Sequence, residues 1–343
     1  MTCSGNFTAT RRSVMLGGAA ALAVGAGATR GFAQAKTVVT TALGWVPNVE
    51  YAGLWLAIEK GYFARENIEA KFIPGGPNAP DTLVSLATGA ADVAGANWLP
   101  ILDSVAKGND FVIIGATWAK SPAAVCSMAR HPVQEPKDLA GATILAQNPT
   151  DKQIIDAILG GAGLPLDYEI KPTGFSPEPL IAGDGDAYLC FATNQPITLE
   201  RMGLVEGRDF FVTLLDDLGY RVLQGLLVVP RSLIAGKRDA VTGYLRALVR
   251  GWTDHIKDPG AAARLVVDKY GADLGLDIDQ QIRQAELEVP LLEGDEKSRG
   301  LLWFDPAIVT GAMTRAAHAA GRSVPELSKI VDLGPLEEAL KTL

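Results

Sequence analysis

Short apolar runs and amphipathic stretches alternate along most of the chain. The apolar runs have the length of buried strands, and the stretches between them have helical spacing and often end at glycine. Strands are predicted at 37–43, 68–72, 92–96, 111–116, 143–146, 169–171, 187–191 and 224–229. Helices are predicted at 52–60, 81–87, 151–159 and 177–182. This alternation predicts an α/β fold with mainly parallel sheets that helices cover on both faces.

The alternation occurs as two successive series that resemble each other. In each series, a helix is followed by a glycine, and an aspartate begins the next strand. This order occurs first at 86–94 and again at 180–188. After Arg231 the pattern becomes helical, with amphipathic stretches at 237–256 and 261–269. Two α/β series followed by helices indicate a first lobe that a second lobe interrupts and that C-terminal helices complete.

These patterns set the predicted domain bounds. Lobe 1 is expected to comprise 36–120 and 225–343, and lobe 2 is expected to comprise 121–224. The chain is expected to cross between the lobes near 121–125 and 224–229. Loops at the carboxyl ends of the strands then face a cleft between the lobes, where α/β sheets bind their ligands.

Residues 1–35 have the order of an export signal. The twin arginine Arg11-Arg12 precedes an apolar stretch at 14–28, and Ala33-Gln34-Ala35 supplies small residues for cleavage. The arginine pair indicates the twin-arginine route. A membrane anchor is the less favoured alternative, because the stretch is short and rich in alanine and glycine for a span of about 30 Å. A periplasmic location is therefore expected.

The net charge and the residue types argue against several classes of function. Cleavage after Ala35 would remove three arginines and no acid, which shifts the formal charge from −8 to −11. A chain this acidic is a poor candidate for binding nucleic acid or an anionic membrane. The three histidines, His131, His255 and His318, have no metal-ligand spacing. Since no nucleophile elbow or phosphate loop occurs either, no metal, cofactor or catalytic residue is predicted.

Cys126 and Cys190 would remain after cleavage, whereas Cys3 would be lost. An oxidising compartment allows a bridge between the two. Both lie inside apolar runs, however, where buried free thiols are common, so free thiols are favoured while the bridge stays open.

The segment 44–63, GWVPNVEYAGLWLAIEKGYF, is the most distinctive motif of the chain. It resembles the opening of solute-binding proteins of ABC transporters in the nitrate, sulfonate and taurine superfamily. Within them it is most similar to the branch of thiamine-pyrimidine-precursor and riboflavin-binding proteins. The likeness covers roughly 36–260. It implies the type II periplasmic-binding-protein fold, with two α/β lobes around a ligand cleft, and an ABC permease as partner.

The motif departs from the pyrimidine branch at one point. Members of that branch often carry Asn-x-Asn-His, where this chain has Asn48-Val49-Glu50-Tyr51. Related pyrimidine synthases also depend on that histidine and on a cysteine-rich motif, and this chain has neither. The departure argues against a synthase and leaves the pyrimidine ligand open.

Aromatic and amide side chains follow predicted strands in both lobes. Aromatic faces suit a planar ligand, and amides or hydroxyls suit its edges. The predicted ligand-binding residues are Trp45, Asn48, Tyr51, Asn97, Trp98, Trp118, Gln147, Asn148, Thr150, Tyr188, Phe191 and Asn194. For each tryptophan the alternative is packing in the core. For Asn148 the alternative is a role only as the N-cap of the next helix.

Basic residues are scarce beside these strand ends, where Lys120 and Lys152 are the exceptions. A site for sulfonate or nitrate would need fixed cations or donors. We therefore predict a monomeric binding protein that captures a neutral planar heterocycle, pyrimidine-like or flavin-like, by closure of two lobes. Glu50, Asp81 and Glu178 could each accept from an amino group of a ligand, but we interpret them as lying in water. The alternatives are a binding protein for a sulfonate, nitrate or other small solute, and an exported ligand sensor.

Overall fold

The two predicted series of strands form two separate sheets. The protein was analysed as a computed structural model, which describes residues 35–76, 79–148, 151–293 and 299–343. Residues 1–34 of the predicted export signal, and Thr150 of the predicted site, lie outside this part of the chain. The first sheet has the strand order β2-β1-β3-β10-β4. Its strands are β1 (Thr37–Ala42), β2 (Ile68–Ile73), β3 (Val93–Ala96), β4 (Phe111–Ala116) and β10 (Leu226–Pro230).

The second sheet has the strand order β7-β6-β8-β5-β9. Its strands are β5 (Ala123–Met128), β6 (Thr143–Ala146), β7 (Glu169–Pro172), β8 (Ala187–Phe191) and β9 (Phe210–Leu214). Both sheets are mixed, because β10 runs antiparallel to β3 and β4, and β5 runs antiparallel to β8 and β9. The expectation of mainly parallel sheets was therefore wrong, since it did not include β5 and β9 and could not give the direction of β10.

Helices cover the sheets and complete the chain. Those that follow strands of the first sheet are α1 (Ala52–Glu59), α2 (Tyr62–Arg65), α3 (Thr82–Ala87) and α4 (Trp98–Ala106). Those of the second sheet are α5 (Asp151–Gly161), α6 (Glu178–Ala182) and α7 (Gln195–Arg201). The C-terminal helices are α8 (Arg231–Lys257), α9 (Pro259–Leu265), α10 (Ile278–Glu293), α11 (Thr314–Ala319), α12 (Leu327–Ile330) and α13 (Gly334–Leu340). No helix in the described ranges is long and apolar enough to cross a membrane.

Two chain segments connect the sheets, residues 117–122 and 215–225. They run side by side, since the backbone N–H of Thr117 donates to the carbonyl of Gly225 at 2.9 Å. Gly225 has φ +62°, and a Cβ there would lie 2.9 Å from that of Thr117, so the crossing requires glycine. The predicted crossings at 121–125 and 224–229 fall mostly within β5 and β10. The structure thus places both crossings earlier in the chain.

Helices α1 and α8 approach each other closely at two glycines. A Cβ on Gly251 would lie 1.9 Å from the carbonyl oxygen of Gly53, and a Cβ on Gly53 would lie 2.4 Å from the Trp252 ring. This contact lets α8 pack its buried residues against α1. The following turn of α8 then carries Trp252 and His255 into the interior.

Cys126 and Cys190 are buried free thiols on the neighbouring strands β5 and β8, with their Sγ atoms 3.1 Å apart. Burial raises the pKa of Cys190 well above its ordinary value, which suppresses the reactive thiolate. We expect iodoacetamide to modify neither residue in the native protein and both after unfolding, as read by peptide mass spectrometry. Rapid modification of the native protein would contradict this burial. Modification that also requires a reductant would identify a disulfide.

Candidate functional site

Two aromatic rings from opposite sheets meet between the sheets. Trp45 follows β1, and Phe175 lies in the loop after β7. Their ring centroids are 4.3 Å apart and their planes are nearly perpendicular, at 87°, which is a favourable edge-to-face arrangement. Both side chains are half-buried. The pair is a direct contact between the two sheets, at the place where the sequence predicts a ligand cleft.

The loop that carries Trp45 is held by a glycine. The backbone N–H of Gly75 donates to the carbonyl of Trp45 at 3.0 Å. A Cβ on Gly75 would lie 2.4 Å from the carbonyl oxygen of Leu43, so only glycine allows this approach. The position of the Trp45 backbone is therefore fixed by the loop that follows β2.

Helix α10 brings a row of buried polar side chains to the same region. Gln281, Gln284 and Glu288 follow one another at helical spacing. Gln281 Oε1 accepts from the backbone N–H of Val49 at 3.0 Å, and Gln284 Oε1 accepts from Asn194 Nδ2 at 3.2 Å. Val49 lies beside β1 of the first sheet, and Asn194 lies just after β8 of the second. The helix thus links both walls of the cleft through its side chains.

The innermost members of this row meet a histidine of α8. Gln284 Nε2 donates to Glu288 Oε1 at 2.9 Å, while Glu288 Oε2 lies 3.8 Å from His255 Nε2. Both His255 and Glu288 are fully buried. Glu288 Oε2, both ring nitrogens of His255 and Nε1 of Trp252 have no hydrogen-bond partner among the described residues. Buried polar atoms are nearly always paired, so this group is exceptional.

Burial shifts the protonation of the same side chains. It lowers the pKa of His255 to about 4, so the imidazole is neutral at neutral pH. It raises the pKa of Glu288 well above the usual range, and the nearby charge of Glu50 acts in the same direction. Burial also raises the pKa of Glu50 to about 7. Two carboxyl groups that both resist ionisation therefore lie near each other.

Glu50 does not lie free in water, contrary to the sequence interpretation. Its side chain is half-buried. Its carboxylate has no hydrogen bond or ion pair within the described part of the chain. Because Glu50 directly follows Val49, which Gln281 holds, its carboxylate projects from the same turn that α10 supports.

Asn48 and Tyr51 belong to this turn. The Asn48 side chain is buried, and its Oδ1 accepts from the backbone N–H of Glu50 at 3.0 Å. The Asn48 carbonyl accepts from Trp55 Nε1 at 2.8 Å. Tyr51 is half-buried with its ring edge-on to Trp55, at a centroid distance of 6.1 Å. Asn48 therefore shapes the turn that presents Glu50 and Tyr51.

Three of the aromatic residues predicted to contact the ligand are buried in the core. Trp98 is 1% exposed, and its Nε1 donates to the carbonyl of Met313 at 2.8 Å. Tyr188 is fully buried, with its hydroxyl donating to the carbonyl of Gly174 at 3.1 Å. Trp118 is also buried and packs against Trp252, 6.3 Å between centroids. For Trp98 and Tyr188 a backbone carbonyl satisfies the polar end of the ring, which allows the whole side chain to be buried.

The remaining predicted residues lie just before α4 and α5 or at the end of β8. Gln147 Nε2 donates to the carbonyl of Leu189 at 2.8 Å. Asp151 Oδ2 accepts from the backbone N–H groups of Gln147 and Asn148, so this side chain holds the turn that precedes α5. Asn148 and Asn97 are exposed. Phe191 is half-buried at the end of β8.

Helix α10 thus connects the turn that carries Asn48 and Tyr51 to Asn194, and Trp45 contacts Phe175 of the second sheet. Sequence reasoning considered Glu50 without selecting it as a site residue, and it did not select Phe175, His255, Gln284 or Glu288. The only sequence signal for the α10 members is the polar spacing of 281, 284 and 288. No group of three or more potential metal ligands occurs in the described ranges.

Known proteins resemble this chain over most of its length. A family model described as NMT1/THI5 like matches residues 48–262. Riboflavin-binding protein RibY of Chloroflexus aurantiacus is 26% identical over 258 residues, 73% of this chain and 72% of that protein. The formylaminopyrimidine-binding protein of Halalkalibacterium halodurans is 24% identical over 276 residues, 78% and 80% of the two chains. The 4-amino-5-hydroxymethyl-2-methylpyrimidine phosphate synthase of Schizosaccharomyces pombe is 24% identical over 64% of this chain and 66% of its own.

Solved structures confirm the fold that the resemblance implied. The ligand-binding component of an ABC-type import system from Staphylococcus aureus matches with a TM-score of 0.65 at 12% identity, over 89% of this chain and 99% of its own. The periplasmic sulfonate-binding protein SsuA from Methylobacillus flagellatus matches with a TM-score of 0.63 at 15% identity, over 90% and 94%. The fold is thus the periplasmic-binding-protein fold, with two mixed α/β sheets.

Proposed function

Because the chain belongs to the NMT1/THI5-like family, we propose that it is a solute-binding protein that captures a small planar heterocycle between its two sheets. The observation that carries this proposal is the pair Trp45 and Phe175, which come from opposite sheets and meet edge to face at 4.3 Å. A planar ligand would have to separate the two rings, and it would then contact both walls of the cleft. Relatives named for riboflavin and formylaminopyrimidine binding support a heterocyclic ligand.

Lobe closure follows from the same arrangement. We propose lobe 1 (36–120 and 225–343) and lobe 2 (121–224) as the moving bodies, with the crossings at 117–122 and 215–225 as hinges. A ligand that contacts both lobes binds the closed arrangement best and shifts the population towards it. The hydrogen bond between Asn194 and Gln284 would form only in that arrangement, because it joins the two walls.

The proposed setting is transport. Export through the signal at 1–35 would place the monomeric protein in the periplasm, where it would deliver the ligand to an ABC permease. Binding rather than catalysis is supported by Tyr51, which stands where the pyrimidine synthases depend on histidine. The synthases among the relatives make this distinction worth testing directly.

A ligand screen tests the proposal. Pyrimidines and flavins are expected to raise the melting temperature, whereas taurine, alkanesulfonates and nitrate are not. A ligand at about one hundred times its Kd adds about 2.7 kcal/mol of stability, which a thermal-shift measurement detects readily. Calorimetry on each hit then gives the Kd. Stabilisation by a sulfonate or nitrate and by no heterocycle would contradict the proposed ligand class.

A further inference from the structure

We propose that Arg201 and Asp277 are positioning residues for ligand capture, and that their ion pair holds the two lobes together from outside the cleft. This inference rests on the proposed function and adds two residues that set the affinity of the site through lobe closure. Arg201 belongs to lobe 2 and Asp277 to lobe 1, so the pair joins the two bodies that are proposed to move.

The ion pair is a two-pronged contact between α7 and the start of α10. Arg201 is the last residue of α7, and Asp277 directly precedes α10. Arg201 Nη2 lies 2.8 Å from Asp277 Oδ2, and Nη1 lies 2.5 Å from Oδ1. A guanidinium and a carboxylate paired in this way give a contact that is both strong and specific in direction. The pair therefore defines one relative position of the two helices.

A second contact joins the same two helices on the cleft side. Asn194, directly before α7, donates to Gln284 of α10 at 3.2 Å. On each helix the two contacts are about two turns apart, and the helices run in opposite directions. Gln284 is buried, whereas the side chains of Arg201 and Asp277 are 46% and 40% exposed. A single contact would act as a pivot, so the outer pair is what fixes the direction of α7.

Helix α10 is itself anchored to lobe 1. Gln281 Oε1 accepts from the backbone N–H of Val49 at 3.0 Å, beside β1. The carbonyl of Leu291 accepts from the backbone N–H groups of Ala119 and Lys120, both at 3.0 Å, within the first crossing between the sheets. The N-terminal and C-terminal parts of α10 are thus both held by lobe 1. Any movement of α7 away from α10 is therefore a movement of lobe 2 away from lobe 1.

Asp277 is held in place by its own helix as well. Its Oδ1 accepts from the backbone N–H of Gln280 at 2.9 Å, which is the arrangement of a helix N-cap. The hydrogen bonds from Arg201 lower the pKa of Asp277 to about 2, so the carboxylate is charged at neutral pH. An asparagine side chain keeps the cap and removes the charge. Asp277→Asn therefore separates the ion pair from the capping of α10.

An ion pair that forms only between closed lobes stabilises the closed arrangement with or without a ligand. Exposed ion pairs have modest effects, so loss of the charge is expected to lower the closed-to-open ratio by about threefold to fivefold. A ligand that contacts both lobes binds the closed arrangement best. The same factor is therefore the upper limit of the loss in affinity.

A distance measurement on the ligand-free protein tests this inference. Spin labels at Val84→Cys in lobe 1 and Leu166→Cys in lobe 2 occupy exposed positions, and double electron–electron resonance gives the distribution of distances between them. We expect Asp277→Asn and Arg201→Gln to enlarge the population with separated lobes by about threefold to fivefold. Arg201→Lys keeps the charge and is expected to have a smaller effect.

Salt and a second ion pair provide the controls. Because screening weakens exposed ion pairs, 1 M NaCl is expected to shift the distribution of the wild-type protein and to leave that of Asp277→Asn almost unchanged. Glu338 Oε1 lies 2.7 Å from Arg238 Nη2, and these side chains are similarly exposed, at 48% and 42%. This pair joins α8 to α13 within lobe 1. Glu338→Gln is therefore expected to leave the distribution unchanged.

Calorimetry with riboflavin and formylaminopyrimidine as probes gives a second reading. A probe that binds the wild-type protein is expected to bind Asp277→Asn up to about fivefold more weakly and Glu338→Gln with the wild-type Kd. A thermal melt of each variant without a probe checks that the fold is intact.

The outcomes separate this inference from the proposed function. Identical distance distributions in the wild-type protein and Asp277→Asn, at low and at high salt, overturn the inference whichever probe binds. A shift that Glu338→Gln shares also overturns it, because the effect then comes from a general loss of stability. If the distances shift as expected but no pyrimidine or flavin binds, the ion pair does hold the lobes together and the proposed ligand class is wrong.

Discussion

Replacement of Gly251 by alanine is expected to reduce the free energy of unfolding by about 3 kcal/mol, because overpacking a core that cannot adjust costs this much or more. The added Cβ would lie 1.9 Å from the carbonyl oxygen of Gly53, which is backbone of α1 and cannot rotate away. Helices α1 and α8 must therefore separate, which loosens the packing of Trp55 and Trp252. With total stabilities of about 5–15 kcal/mol for folded domains, the loss is large. Guanidinium denaturation followed by circular dichroism measures it.

Gly236 provides a control in the short first part of α8, before the non-helical Lys237. A Cβ at Gly236 would meet no atom within 4 Å. Gly236→Ala is therefore expected to leave stability unchanged or to raise it by up to about 1 kcal/mol, since alanine favours the helix. Equal stabilities of Gly251→Ala and wild type would show that the two helices are further apart than the structure has them.

Most strands could be predicted because a buried strand appears in the sequence as a continuous apolar run. Phe111–Ala116 is buried along its whole length and reads as a continuous apolar run. Strand β5, Ala123–Met128, is short, rich in small residues and next to a crossing, so it was interpreted as part of the connection. Strand β9, Phe210–Leu214, is half-buried along most of its length and lies at a sheet edge, where the apolar pattern is weak.

The internal resemblance between the two series has a structural basis. Gly89 and Gly183 both have positive φ, +74° and +86°, as expected for glycines that end helices. Asp92 accepts from the backbone N–H of Thr40 in β1, and Asp186 accepts in the same way from β6, each at 2.9 Å. The repeated Gly-x-x-Asp thus joins a helix end to a neighbouring strand in both sheets.

The site was less predictable than the fold. Trp45 was predicted as a site residue because ligand sites lie beyond the carboxyl ends of strands. His255 and Glu288 lie on C-terminal helices, to which that rule does not apply. The polar face of α10 looks like a solvent-facing stripe in the sequence, and only the packed structure shows that it is buried. The burial of Trp98 could not be predicted, because the sequence does not reveal that a backbone carbonyl accepts from its indole N–H.

Replacement of Trp45 by alanine is expected to weaken binding of the heterocycle by tenfold or more. Stacking on an aromatic side chain contributes about 1–3 kcal/mol per ring in comparable sites, and about 1.4 kcal/mol corresponds to one decade in Kd. The effect on folding should be small, because Trp45 is half-buried and its main packing partner is Phe175. Calorimetry measures the Kd, and a thermal melt without ligand checks the fold.

Phe175→Ala and Tyr168→Ala complete this experiment on the opposite wall. Phe175 lies beyond the last residue of β7, at the cleft, and its loss should weaken binding in the same way as that of Trp45. Tyr168 precedes the first residue of the same strand, so it lies at the far end and should not affect the Kd. A ligand between the two rings contacts both, so the double variant should lose less than the sum of the single losses. Unchanged affinity in Trp45→Ala and Phe175→Ala, with intact folding, would place the ligand elsewhere in the protein.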